Sequence, residues 1–61
     1  MCESNAYLSK DKDEKLLMKD VDVLKIQDDG SFLLETILGE RKVVKAKLKE
    51  VNLGRHRIVF E

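Results

Sequence analysis

The chain has 61 residues, 43% of them hydrophobic and 39% charged, and no proline; it reads as one small domain, 1–61, with no room for a second or for a deep active-site cleft. Twelve basic and twelve acidic side chains cancel, so the chain lacks the broad positive field that drives phosphate binding by counterion release, which weighs against nucleic acid as a partner. The longest unbroken apolar runs, among them Leu16-Leu17-Met18 and Phe32-Leu33-Leu34, are three residues long, so neither a membrane span nor a signal peptide is expected.

In chain order, segment 3–9 alternates, with Ala6 and Leu8 on one face and Asn5 and Tyr7 on the other, and predicts a short strand. The charged run 10–15 follows as a loop or hairpin tip. Over 16–26 the β-branched content rises. Asp20-Val21-Asp22-Val23 alternates and Leu24-Lys25-Ile26 alternates in the opposite phase, so a β-bulge or bend is expected near Val23 and Leu24. Leu16, Leu17, Val21 and Leu24 also fall at helical spacing. The alternation and the lack of a capping glycine before the next turn favour a strand.

Asp28, Asp29, Gly30 and Ser31 form a strong turn signal, because Asp accepts local backbone hydrogen bonds and Gly supplies a positive φ. A strand from Phe32 then carries Phe32, Leu34, Thr36 and Leu38 on one face and Leu33, Glu35 and Ile37 on the other; Gly39 and Glu40 mark its reversal. Segment 43–48 alternates Val44, Ala46 and Leu48 against Lys45, Lys47 and Lys49. With Arg41 and Lys42, these lysines read as a solvated strand face. The apolar phase then slips to Val51 and Leu53, which calls for a bulge or one short helical turn before Gly54. Segment 57–61 is the last strand, with Ile58 and Phe60 opposite Val59. The expectation is all-β: a small five-stranded barrel of the SH3-like or Sm-like kind.

The charge is uneven along the chain. Residues 1–30 carry five lysines against eight acidic residues, net −3, and residues 31–61 carry seven basic against four acidic, net +3. There is no Gly-rich phosphate loop, no paired metal-binding cysteines and no nucleophile with an adjacent base, so the protein is not expected to be an enzyme. With only Tyr7, Phe32 and Phe60 aromatic, a base-stacking platform is poorly supplied. A domain this small gains stability from disulfides, a structural metal or oligomerisation. The single cysteine excludes an internal disulfide and leaves a metal, a partner chain, or both.

That cysteine is Cys2. A free thiol and no leader are expected of a cytoplasmic protein, where thiols stay reduced. Cysteine at position 2 is small enough for methionine aminopeptidase to remove Met1, so the mature chain is expected to begin with Cys2. Its α-amine and thiolate can then bind one metal ion in a five-membered ring, and the backbone amide nitrogen of Glu3 can join them. Sulfur beside strong nitrogen donors suits square-planar Ni(II) or Cu(II), whereas Zn(II) wants a tetrahedral set that this chain cannot complete. Two chains meeting at a two-fold axis would supply two amines and two thiolates, a four-coordinate site that one chain cannot form. His56, the one histidine, lies between Arg55 and Arg57 and reads as a solvated surface residue.

Four segments carry a resemblance over essentially the whole chain: the opening Met1-Cys2-Glu3-Ser4-Asn5-Ala6-Tyr7-Leu8, the stretch Lys19-Asp20-Val21-Asp22-Val23-Leu24, the Leu38-Gly39-Glu40 turn and the closing His56-Arg57-Ile58-Val59-Phe60. Together they resemble the CooT family, small nickel-binding accessory proteins (metallochaperones) associated with maturation of carbon monoxide dehydrogenase. The Met1-Cys2 start is the most specific element. The resemblance implies a homodimeric small β-barrel that binds Ni(II) through Cys2 of each chain and has a nickel enzyme such as carbon monoxide dehydrogenase as its client. No His-rich tail is present, so bulk nickel storage is not implied. Two alternatives share features with this reading. Hydrogenase-maturation chaperones of the HypC kind also begin Met-Cys and fold as small barrels but direct the cysteine to an iron centre, and Sm-like RNA-binding proteins share the barrel expectation.

Overall fold

The structure, a computed structural model, describes residues 3–61. Among the described residues six strands follow one another: β1 (Ser4–Lys10), β2 (Asp13–Ile26), β3 (Phe32–Thr36), β4 (Arg41–Val44), β5 (Leu48–Asn52) and β6 (Arg57–Phe60). The described residues are therefore all-β, without a helix, and none of them forms a helix long and apolar enough to cross a membrane. One mixed sheet holds the strands in the order β4-β3-β2-β1-β6-β5. Every neighbouring pair is antiparallel except β1 and β6, which run parallel.

The strand count and the closure differ from the sequence expectation of a five-stranded closed barrel. The segment expected as one strand over 43–48 is divided: Val44 ends β4 at one edge of the sheet, and Leu48 begins β5 at the other. Its alternation is continuous, but its two ends hydrogen-bond to different partners. Four Cα–Cα steps separate Val44 from Leu48 and span at most about 14 Å, so the two sheet edges converge at this corner. No ladder joins β4 to β5 among the described residues, and the sheet stays open. Lys47 and Glu61 exchange both backbone hydrogen bonds, at 3.1 and 2.8 Å, and extend the β5–β6 ladder towards the corner.

The charged run 10–15 is also shorter as a turn than expected. Lys10 pairs with Asp13, and Asp11, at φ 57°, and Lys12 make a tight reversal. A short polar Asp tolerates that left-handed backbone. β2 begins immediately afterwards and is the longest strand. Its ladders contain three register shifts, at Leu17 and within Lys19 and Asp20 on the β1 side and at Asp22 on the β3 side. The bulge expected near Val23 and Leu24 lies just before them. A bulge adds a residue to one strand, bends it and strengthens its twist, which lets β2 curl the sheet around its core. Within β5 the apolar phase slip is resolved in the same way: the ladder shifts between Leu48 and Glu50.

The core lies inside the curl. Ala6, Val21, Phe32, Leu34, Val44, Ile58 and Phe60 form its buried cluster, against which Leu8, Leu17, Met18, Leu24 and Ala46 pack. Alternation assigned Phe32, Leu34 and Thr36 to one face, and all three are buried. Leu38 continues that alternation in sequence, yet β3 has ended and the side chain is 87% exposed. Val59, on the opposite face of β6 from Ile58 and Phe60, is buried as well. It lies in register with Tyr7 of β1 and Glu50 of β5, on the face where the Arg57 guanidinium stacks 4.6 Å from the Tyr7 ring centroid.

Candidate metal centre

The expected donors lie at the start of β1. Cys2 falls outside the described residues. Glu3, whose backbone amide is the accessory donor suggested by the sequence, is half-buried immediately before β1. β1 itself is an interior strand, flanked by β2 and β6, so the chain following Cys2 is held on both sides.

Asn5 makes that hold specific. Its backbone N–H donates to the His56 carbonyl oxygen at 2.9 Å, and its side-chain Oδ1 accepts the Asp20 backbone N–H at 3.2 Å. Both partners have left-handed backbone, Asp20 at φ 58° and His56 at φ 55°. Such conformations cost about 1 kcal/mol or more in a non-glycine residue and persist where the surroundings fix them. The Asn5–Asp20 bond spans the register shift between the Ser4–Val21 and Ala6–Met18 pairs. It thus gives the bulged amide an acceptor that the β ladder itself cannot provide. His56 closes the turn after β5, donating its N–H to Leu53 O at 3.4 Å, and its side chain is exposed as the sequence suggested.

Glu3 lines a surface hollow together with Leu17, Met18, Asp20, Ile37, Leu38, Glu40, Arg41 and Lys42. Ile37 is 65% exposed, so with Leu38 it places bare apolar surface next to the first described residue. Among the described residues, no three His, Cys, Asp or Glu side chains are grouped so as to hold a metal ion. Sequence reasoning singled out neither Asn5 nor Asp20, nor the two exposed aliphatics. Asp20 was absorbed into the Asp-Val-Asp-Val alternation, and Ile37 and Leu38 into a longer β3.

On the outer face, Glu14 Oε1 accepts from Arg57 Nη2 at 2.6 Å. That hydrogen bond raises the guanidinium's pKa above its ordinary value, with burial opposing and the Glu14 charge adding to it. At the β4 edge of the sheet, Arg41 pairs with Glu35 at 2.8 Å. Arg41, Lys42, Lys45, Lys47 and Lys49 are all exposed.

Comparison with known proteins bears on the whole chain. The family model for the CO dehydrogenase accessory protein CooT matches residues 1–61. An uncharacterised protein of Methanothermobacter thermautotrophicus is 41% identical over 61 residues, covering 100% of this chain and 89% of the relative. The crystal structure of a CooT from Carboxydothermus hydrogenoformans superposes with a TM-score of 0.90 at 42% identity, covering 98% of this chain and 95% of that one. The expected resemblance is therefore met in sequence and in fold, and the chain belongs to the CooT family of CO dehydrogenase accessory proteins.

Proposed function

We propose that this protein is a homodimeric nickel carrier that binds Ni(II) through the Cys2 thiolate and α-amine of both chains, with the Glu3 backbone amide as an accessory donor. It passes the ion to a nickel enzyme, carbon monoxide dehydrogenase being the client that its family membership suggests. The observation that carries this reading is the match over residues 1–61, which takes in the Met1-Cys2 start.

The donor chemistry supports it. An amine and a thiolate from one residue form a tight small chelate, and a nitrogen–sulfur set favours a square-planar d-block ion over Mg(II) or Ca(II). One chain provides half a coordination sphere, so a two-fold axis through the metal completes it. Ile37 and Leu38, exposed beside Glu3, are apolar surface that pairing near the N-termini would cover. A site with so few ligands per chain can give up its ion stepwise to an incoming acceptor, and delivery requires no catalysis by the carrier.

Titration with Ni(II) tests the reading. The protein with Met1 removed, verified by intact mass, should bind one Ni(II) per two chains and develop a thiolate-to-nickel charge-transfer absorption. Cys2→Ser should abolish both while leaving the fold and the dimer intact. Undiminished affinity in Cys2→Ser would refute the assignment.

A further inference from the structure

We propose that Asn5 is a positioning residue for the nickel site, setting the origin from which Cys2 and the Glu3 amide reach the ion. This rests on the Cys2 reading above and adds to it a role for a residue that cannot itself bind the metal in that scheme.

Asn5 is three residues from Cys2 in sequence and is the first residue of β1 held from both sides. From the β6 side, its N–H donates to His56 O at 2.9 Å; from the β2 side, its Oδ1 accepts from Asp20 N–H at 3.2 Å. Among the described residues, two of the three non-glycine residues with left-handed backbone, Asp20 and His56, are thereby bonded to one residue. The third, Asp11, lies in the turn at the opposite end of β1. The ladder of β1 with β2 shifts at two places, opposite Asn5 and between Ala6 and Tyr7. At Asn5 the ladder is broken by the bulge of β2, with Ser4 opposite Val21 and Ala6 opposite Met18, and a side chain takes over. Without that acceptor the Asp20 amide loses its partner, the bulge is free to shift, and the first residues of β1 lose one of two restraints. A chelate of few donors shared between chains depends on where those donors start, because an error of about 1 Å at a site is enough to spoil its geometry.

The roles of the side chain and of the backbone can be separated. Asn5→Ala removes the acceptor. Asn5→Asp keeps an acceptor oxygen at the same reach. Asp20→Gly removes a carboxylate but keeps the N–H donor, and glycine adopts a positive φ freely. The experiment is Ni(II) titration of the full chain, followed by visible circular dichroism of the charge-transfer bands. Amide exchange at Asp20 in metal-free protein is measured alongside. Asn5→Ala should lower nickel affinity at least tenfold, alter the dichroism and accelerate exchange at Asp20. Asn5→Asp and Asp20→Gly should match the wild type in affinity and spectrum. Should Asn5→Ala fail to fold, Asn5→Gln, which moves the amide oxygen by one methylene, takes its place with the same expectation.

If wild-type protein binds nickel and the acceptor-deficient variant binds it with the same affinity and spectrum, the positioning role is overturned while the Cys2 reading stands. Equal losses in Asp20→Gly and Asn5→Ala also overturn it, because the Asp20 carboxylate would then be the active group. If the wild type binds no nickel, the Cys2 reading falls and the positioning role with it.

Discussion

The rings of Phe32 and Phe60 stand 5.2 Å apart and tilted by 57°, although β2 and β1 lie between their strands in the sheet. Contact across two intervening strands requires the sheet to fold over on itself, and this aromatic pair lies where it does so. Phe60 is fully buried and is one of the two largest side chains with no exposed surface. Phe60→Ala should therefore remove about 3–5 kcal/mol, a large part of the roughly 5–15 kcal/mol that holds a typical domain together. Urea denaturation should show the midpoint of this variant well below that of wild type. Leu48→Ala, at a residue 37% exposed, should stay within about 1 kcal/mol of wild type.

Most strands were legible from alternation because each interior position repeats every second residue. Alternation put Ala6 with Leu8, Phe32 with Leu34, Val44 with Ala46 and Ile58 with Phe60 on one face of their strands, and Ala6, Phe32, Leu34, Val44, Ile58 and Phe60 are all buried. Closure was not legible, because alternation reports which face is inward and not which strand is the neighbour. Lys45, Ala46 and Lys47 keep the alternating pattern while the chain crosses from one edge of the sheet to the other. The Asn5–Asp20 bond was hidden for a related reason. A bulge becomes visible when two strands are set side by side, and Asp20 in isolation looks like any outward residue of an alternating strand. The expectation for Cys2 rests on its being second in the chain and not on where the sheet puts it.

The turn between β2 and β3 should make stability depend on acid. Asp29 Oδ1 accepts the Ser31 backbone N–H at 2.9 Å and lies 2.6 Å from the Ser31 hydroxyl. These bonds, the hydroxyl's first, hold the Asp29 carboxyl below its ordinary pKa. A group with a depressed folded-state pKa stabilises the fold above its unfolded-state pKa, and the contribution disappears as pH falls through the folded value. Asp29→Asn should thus lower the melting temperature at pH 7, and the gap from wild type should narrow as the pH is taken below about 4. A gap independent of pH over that range would show that the carboxylate charge is not the source.

The pair formed by Arg57 and Glu14 should contribute little by charge and more by stacking. Its two side chains are 33% and 41% exposed, and an ion pair in that setting is worth about 0–1 kcal/mol and weakens with salt. The guanidinium also lies 4.6 Å from the Tyr7 ring centroid, adding roughly 0.5–1 kcal/mol. It also lies on the face that buries Val59. Glu14→Gln should change stability by under about 1 kcal/mol, and less at 1 M salt. Arg57→Ala should cost more than Glu14→Gln at both ionic strengths, since it removes packing as well as charge. Denaturation of the two single variants and the double variant at low and high salt measures both contributions.

Nickel should stabilise the folded protein through the N-terminus. A ligand that binds only the folded state adds RT ln(1 + [L]/Kd), about 2.7 kcal/mol at a hundredfold excess over Kd. For a domain of this size each kcal/mol shifts the melting temperature by roughly 4–8 °C, so an increase on the order of 10 °C is expected at that excess. The increase should disappear in Cys2→Ser, whose metal-free melting temperature should equal that of wild type. It should shrink in protein that retains Met1, because the free amine then sits one residue away from the thiolate and the five-membered chelate is lost. Differential scanning calorimetry of the three proteins with and without Ni(II) makes the comparison. An equal nickel-induced increase in all three would place the stabilising metal on other side chains.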